Sequence, residues 1–316
     1  MSGSTDQRRA AAESAGEESF SAQVKAELCR EKMTRPCCAL AESYGLLLFC
    51  NTFQRGEVRL VTTSPALAQR IPRLFRRALD IRFDRAPRDA EAGGQLVFQL
   101  TDQAKLARVL EAYGQGPEEL VNHHVNYALL EENCCRAAFL RGAFLAGGSV
   151  TDPRKRYHLE FTTSHYYVAR ELGPMMAELE LYPKTSVRKS NYVTYFKQSE
   201  AISDFLTTIG APLAAMDVMN AKLEKNLRNR VNRRSNCDVA NVDKAVAAAQ
   251  GQIAVIRRLQ SAPVWETLPD ALRETAERRV DNPDLSLHEL ADLLGVSKSC
   301  LNHRLRRLQA LEQAQH

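Results

Sequence analysis

The sequence predicts an α+β protein of two αββαββα halves, followed by an all-α helix-turn-helix domain. An internal duplication points to the halves. "CCALAESYGLLLF" from Cys37 lies over "CCRAAFLRGAFLA" from Cys134: Ala41 falls on Ala138, Gly45 on Gly142 and Leu48 on Leu145, a constant offset of 97. Further on, "RLVTTS" matches "LEFTTS" at an offset of 100, and Leu110 and Gly114 match Leu206 and Gly210 at an offset of 96. The second observation is "SLHELADLLGVSKSCLNHRLRRLQAL" from Ser286, which has the leucine spacing and central glycine of two helices around a tight turn.

Residues 1–19 are small, polar and charged, and are expected to form a disordered tail with no apolar signal-peptide core. The first half is expected over 20–116 and the second over 117–215. Each reads helix, two strands, helix, two strands, helix. Short connections within each strand pair predict antiparallel pairing. The strand-like segments are "VRLVTTS", "IRFDRAPR" and "GQLVFQLT" in one copy, and "HLEFTTS" and "SVRKSNYVTYFKQ" in the other. A pseudo-two-fold axis follows from the duplication. Ala138, Gly142 and Ala146 recur every four residues and share one helix face, and Ala41 and Gly45 repeat the start of that stripe. A glycine inside a helix costs about 1 kcal/mol against alanine. Its presence in both copies predicts two helices packed backbone to backbone; the alternative is a face packed on its own sheet.

Residues 216–237 are expected to be a basic linker. Lys222, Lys225, Arg228, Arg230, Arg233 and Arg234 stand there against Glu224 alone. A basic run is often only a solvated surface, but here it precedes a nucleic-acid-binding pattern, which favours a phosphate-facing role. The remainder, 238–316, is expected to be helical. Val242, Val246, Ile253 and Ile256 suggest one apolar face, and "PDALRETAERRVDNP" a bracing helix. Within the helix-turn-helix, Ala291 sits where the helices touch, Gly295 at the turn, and Ser297 at the cap of the second helix, with Asp284 or Ser286 capping the first. Leu301, Leu305 and Leu308 line one side of the second helix. Asn302, His303 and Arg306 lie opposite with Ser299 and suit base edges; Lys298, Arg304 and Arg307 suit phosphates. The partner expected is double-stranded DNA.

The chain has 316 residues, 44% of them hydrophobic and 26% charged, with a net charge of +5. These values fit a globular protein, and no apolar run is long enough to span a membrane. The expected location is the cytoplasm. Eight cysteines in a chain of this kind suggest reduced thiols. No C-x-x-C pair is present, so the adjacent pairs Cys37–Cys38 and Cys134–Cys135 are read as buried small apolar residues, and neither a metal site nor a cofactor is expected.

"LRGAFLAGGS" resembles the motif of the LAGLIDADG homing endonucleases, with Gly142 at its internal glycine. The resemblance implies a pair of interface helices and sheets that form a saddle on DNA. It also implies an acidic residue at each helix end to hold a divalent metal. Here that position falls on Gly147 in one copy and near Cys50 in the other. Neither supplies the oxygen ligand such an ion needs. Asp152 lies five residues further on, and Arg55 stands at its matching point. No catalytic residue and no enzyme activity are therefore expected.

With "NRRSNCDVANVDKAVAAAQGQI" and "SKSCLNHRLRRL" following in order, the chain is identified as a member of the WhiA regulators over roughly residues 20 to 310. Cys300 replaces an expected glycine, and the turn before Ser297 looks short. The resemblance implies a nucleoid-associated DNA-binding regulator tied to cell division and chromosome segregation, and to sporulation in some lineages. It places most of the DNA affinity in the helix-turn-helix. The rival is a scaffold whose silent saddle binds a regulator or division-associated protein.

Overall fold

A computed structural model of the chain describes residues 18–91, 94–114 and 123–314. The tail expected over 1–19 lies outside them, except that Ser19 caps the first helix by accepting a hydrogen bond from the Ala22 amide at 3.2 Å. The chain divides into two compact units, Met1–Lys225 and Asn226–His316.

In the first unit, α1 (Phe20–Arg30) precedes α2 (Pro36–Leu48), which opens on a proline where the missing amide costs nothing. Then come β1 (Thr52–Gln54), β2 (Glu57–Thr62), α3 (Pro65–Leu79), β3 (Leu96–Leu100) and α4 (Gln103–Ala112). The second copy runs α5 (Asn133–Gly147), β4 (Gly148–Val150), β5 (Leu159–Thr163), α6 (Tyr166–Ala177), β6 (Lys184–Arg188), β7 (Asn191–Phe196) and α7 (Ser199–Ile209). Both sheets are antiparallel, ordered β1-β2-β3 and β4-β5-β7-β6. Alternation sets their inner faces: Val58 and Leu60 on β2, Leu159 and Phe161 on β5, all buried. Gly114 and Gly210 close the last helix of each copy in the left-handed region, at φ 66° and 95°, where a side chain would be strained.

The halves differ in one strand. "IRFDRAPR" does not form the expected fourth strand of the first sheet and makes only an isolated bridge, Arg85 to Gln99. Two features stop it. Pro87 has no amide to donate, and the Asp84 carboxylate turns to accept from the Thr101 and Asp102 amides at 2.7 and 2.9 Å.

Residues 216–237, expected as a basic linker, lie within the 49-residue helix α8 (Pro212–Gln260), and the division between the two units falls inside them. No proline or glycine interrupts the helix between Pro212 and Gly251, and Leu, Ala, Lys, Arg and Glu hold helical geometry well.

The second unit is all helical, with α9 (Asp270–Asp281), α10 (Leu287–Leu293) and α11 (Lys298–Gln313) following α8. Its core joins Ile256 and Leu259 of α8 to Leu272, Ala276, Leu290, Ala291, Leu301, Leu305 and Leu308. Val242 and Val246, expected on the same apolar face as Ile256, stay 60% and 49% exposed. α8 is buried near both ends, through Ala214, Ala215 and Val218 in the first unit and Ile256 and Leu259 in the second, and exposed along the stretch that holds Val242 and Val246.

Candidate nucleic-acid interface

The helix-turn-helix is fixed at its ends before its surface is considered. Ser286 and Glu289 form a reciprocal capping box on α10, with Ser286 N donating to the Glu289 carboxylate at 2.8 Å. Ser297 caps α11 by accepting from the Cys300 amide at 3.2 Å. The residues at 294–297 make a turn of ordinary length for this motif, not a shortened one. Gly295 adopts φ 65° there, and Val296 N closes the turn on Ala291 O at 3.0 Å. Ala291 is wholly buried, so its methyl sets how near α11 can come.

Burial of Leu301, Leu305 and Leu308 turns the rest of α11 outward. Ser297, Lys298, Ser299, His303, Arg306 and Arg307 are exposed, and Asn302 is half-buried. Arg304 is placed differently from the phosphate role expected of it. It donates to Ala271 O and Thr275 Oγ1 on α9, at 3.4 and 3.2 Å, and so braces the motif from behind. Cys300 is exposed.

The basic residues of α8 separate into two groups. Lys222 pairs with Glu200. Lys225 donates to Pro153 O at 2.7 Å and lies over the Tyr157 ring, 4.4 Å from its centroid. Both are anchored within the first unit. Arg228, Arg230, Arg233 and Arg234 are exposed. At 3.6 residues per turn, the last three fall within an arc of about 100°.

In the first unit, α2 and α5 meet through glycine. A Cβ placed on Gly142 would lie 1.9 Å from Glu42 O, and one on Gly45 would lie 2.0 Å from Phe139 O. Ala41 and Ala138 are buried beside them, and Ala146 is half-buried near the helix end. Glu42 is enclosed in the same packing. It receives Arg70 at 2.6 and 2.8 Å and Arg141 at 3.1 Å.

At the far ends of these helices lies a cavity of about 450 Å³ lined by Lys25, Cys50, Asn51 and Ala146 among others, with no carboxylate among the described residues of its lining. Cys50 donates its thiol proton to Thr52 O at 3.2 Å, and burial pushes its pKa up to about 12. A Cβ on Gly147 would meet Phe49 Cδ1 at 2.9 Å. The Asp152 carboxylate accepts from the backbone and side chain of Arg154 at 2.8 and 3.2 Å. The oxygen donors in the cavity lining are amides and hydroxyls, such as Asn51, Thr62 and Ser64.

The opposite ends of α2 and α5 show something the sequence reading missed. The sulfurs of Cys37, Cys38, Cys134 and Cys135 all lie within 4.8 Å of one another. The pairs are not the uniformly buried residues expected. Cys135 is buried, Cys38 and Cys134 are partly so, and Cys37 is exposed. The duplication was the available signal. It lays one pair on the other, on two helices predicted to pack together.

A duplicated LAGLIDADG-like unit joined to a helix-turn-helix unit defines a class of protein, and comparison with known proteins agrees. The WhiA LAGLIDADG-like domain matches residues 136–228, and the WhiA C-terminal HTH domain matches residues 231–312. A probable cell division protein WhiA from Desulforudis audaxviator is 37% identical over 302 residues, 93% of this chain and 96% of that protein. Another from Alkaliphilus metalliredigens is 34% identical over 304 residues, 92% of this chain and 96% of that protein. Full-length DUF199/WhiA from Thermatoga maritima has the same fold, with a TM-score of 0.58 at 21% identity, covering 94% of this chain and 99% of that one. The chain belongs to the WhiA family.

Proposed function

We propose that the chain is a sequence-specific DNA-binding regulator of transcription, acting in cell division and chromosome segregation and, in some lineages, sporulation. The observation that carries this reading is the division of α11. Three leucines bury one side, while Asn302, His303 and Arg306 face outward with Lys298 and Arg307 beside them. Asparagine and arginine can make paired contacts to base edges, and lysine and arginine neutralise phosphates. Arg230, Arg233 and Arg234 supply further cationic surface on α8. The relatives' designation as probable cell division proteins supports the cellular role. No helix among the described residues is long and apolar enough to cross a membrane, which suits a cytoplasmic protein working at the nucleoid.

The first unit serves here as a scaffold rather than a nuclease, because the helix ends offer Cys50 and Gly147 where carboxylates are needed. A gel-shift titration on a genomic fragment library, with magnesium present and the strands then denatured, tests both statements. The native chain should shift a subset of fragments and leave every strand intact. The Asn302→Ala, Arg306→Ala variant should lose that selectivity. Cut strands would place a metal on residues outside those considered. An absence of any shift would favour the saddle as a protein-binding surface.

A further inference from the structure

The first turns of α2 and α5 bring four thiols together at the junction of the two halves. Cys37 and Cys38 come from one copy, Cys134 and Cys135 from the other, and all four sulfurs fall within 4.8 Å of one another. We propose that these cysteines form a four-thiolate zinc site that fastens the two halves at one end of their shared helix pair.

The geometry suits a single ion. Tetrahedral zinc holds sulfur at about 2.3 Å, which sets sulfur–sulfur edges of about 3.8 Å. With all four sulfurs within 4.8 Å, the separations exceed those edges by about 1 Å at most. An iron–sulfur cluster distributes its thiolates over separate irons and spreads them wider than this set. Zinc with four thiolates carries a net charge of −2, and the surroundings answer it. Both cysteine pairs occupy the second and third positions of their helices, where unpaired amides and the positive end of the helix dipole favour anionic sulfur. Arg35, at the cap of α2, donates from Nη1 to Cys134 Sγ at 3.5 Å.

The thiols are already linked across the junction. Cys38 is hydrogen-bonded to Cys134, and Cys37 to Cys135, so each pair already bridges the two copies. On binding, each thiol still protonated releases its proton to solvent as its sulfur–zinc bond forms. Exposed Cys37 leaves the ion a route in.

The test uses the full chain, free of any histidine tag, grown with added zinc and purified under reducing conditions. Elemental analysis should find about one zinc per chain, since one tetrahedral ion consumes all four ligands. Cobalt(II) exchanged into the chain should show thiolate-to-metal charge transfer and the visible bands of a tetrahedral four-sulfur site. Joint Cys37→Ser and Cys134→Ser substitution should cut metal content at least tenfold. Joint Cys237→Ser and Cys300→Ser, which alters two exposed cysteines outside the cluster, should leave it unchanged. Because the first pair could impair folding, the cobalt spectrum of the unaltered chain decides independently. Unaltered chain that takes up neither zinc nor cobalt overturns the proposal. So does a disulfide between the copies in protein alkylated at the moment of cell lysis.

Discussion

Arg70 grips Glu42 with both arms of its guanidinium, Nε on Oε1 at 2.6 Å and Nη2 on Oε2 at 2.8 Å, and the two side chains are 3% and 1% exposed. Arg141 reaches the same carboxylate from α5, so one acid ties α2 to α3 and to the second half. Removing one member of a buried ion pair leaves the rest uncompensated, at a cost of about 3–5 kcal/mol. Glu42→Ala should therefore lower the stability of the first unit by that amount, read as a shift in its urea midpoint by near-ultraviolet circular dichroism. Adding Arg70→Met should recover part of the loss. A Glu42→Ala midpoint equal to that of the parent would show that the pair is not confined as described.

The helix glycines should separate by environment rather than by propensity. Gly142→Ala forces a methyl to within 1.9 Å of Glu42 O, whereas Gly251 has nothing within 4 Å of its added carbon. Thermal melts should show Gly142→Ala lowering the first transition. Gly251→Ala should raise or preserve stability, gaining up to about 1 kcal/mol of helix propensity. Equal effects from the two would rule out close packing of α2 on α5.

Arg304 and Arg307 are near neighbours in sequence with different work to do. Arg307 faces solvent, so Arg307→Ala should weaken DNA binding across all sequences and reduce the salt slope by about 1. Arg304 holds α9, so Arg304→Ala should instead lower the melting point of the second unit, followed through Trp265, the single tryptophan. The reverse pattern in a salt titration would reassign the two.

His123 makes the first unit sensitive to acid. Burial, then the facing ring of His165, push its pKa down to about 4. Its ring stacks on Phe53 at 5.2 Å between centroids. The unfolded chain takes up a proton below about 6.5 while the native ring stays neutral, so stability rises with pH between about 4 and 6.5. It is lost as pH falls through that window. His123→Phe keeps a ring against Phe53 and should flatten the dependence between pH 5 and 7.5. An unchanged difference in melting temperature between those two conditions would refute the assignment.

Much of the architecture was legible because it repeats or because it is local. The offset of 97 laid Gly45 on Gly142, and a glycine shared by two helices has few explanations. Ser297, Gly295 and the leucines of α11 act within a turn or two of chain, where spacing alone carries the information. The readings that failed depend on distant partners. Arg304 looked like its basic neighbours until α9 supplied Ala271 O and Thr275. "IRFDRAPR" had strand-like residues, but Asp84 was captured by amides nearly 20 residues away. The helix through 216–237 is a local matter, since the stretch lacks proline and glycine. The four thiols needed one further step, which was to superpose the two copies as solids rather than as text.

The obstacle facing Gly45 and Gly142 is a carbonyl oxygen, not a side chain. Every amino acid brings that oxygen, so no replacement at Glu42 or Phe139 could make room for a larger residue opposite. The usual evolutionary route of paired, compensating exchange is closed at these two positions. Positions whose neighbours are side chains carry no such restriction, and the two copies do differ there, with three strands in the first sheet against four in the second. The helix pair is thus the part of the duplication that its own backbone holds fixed.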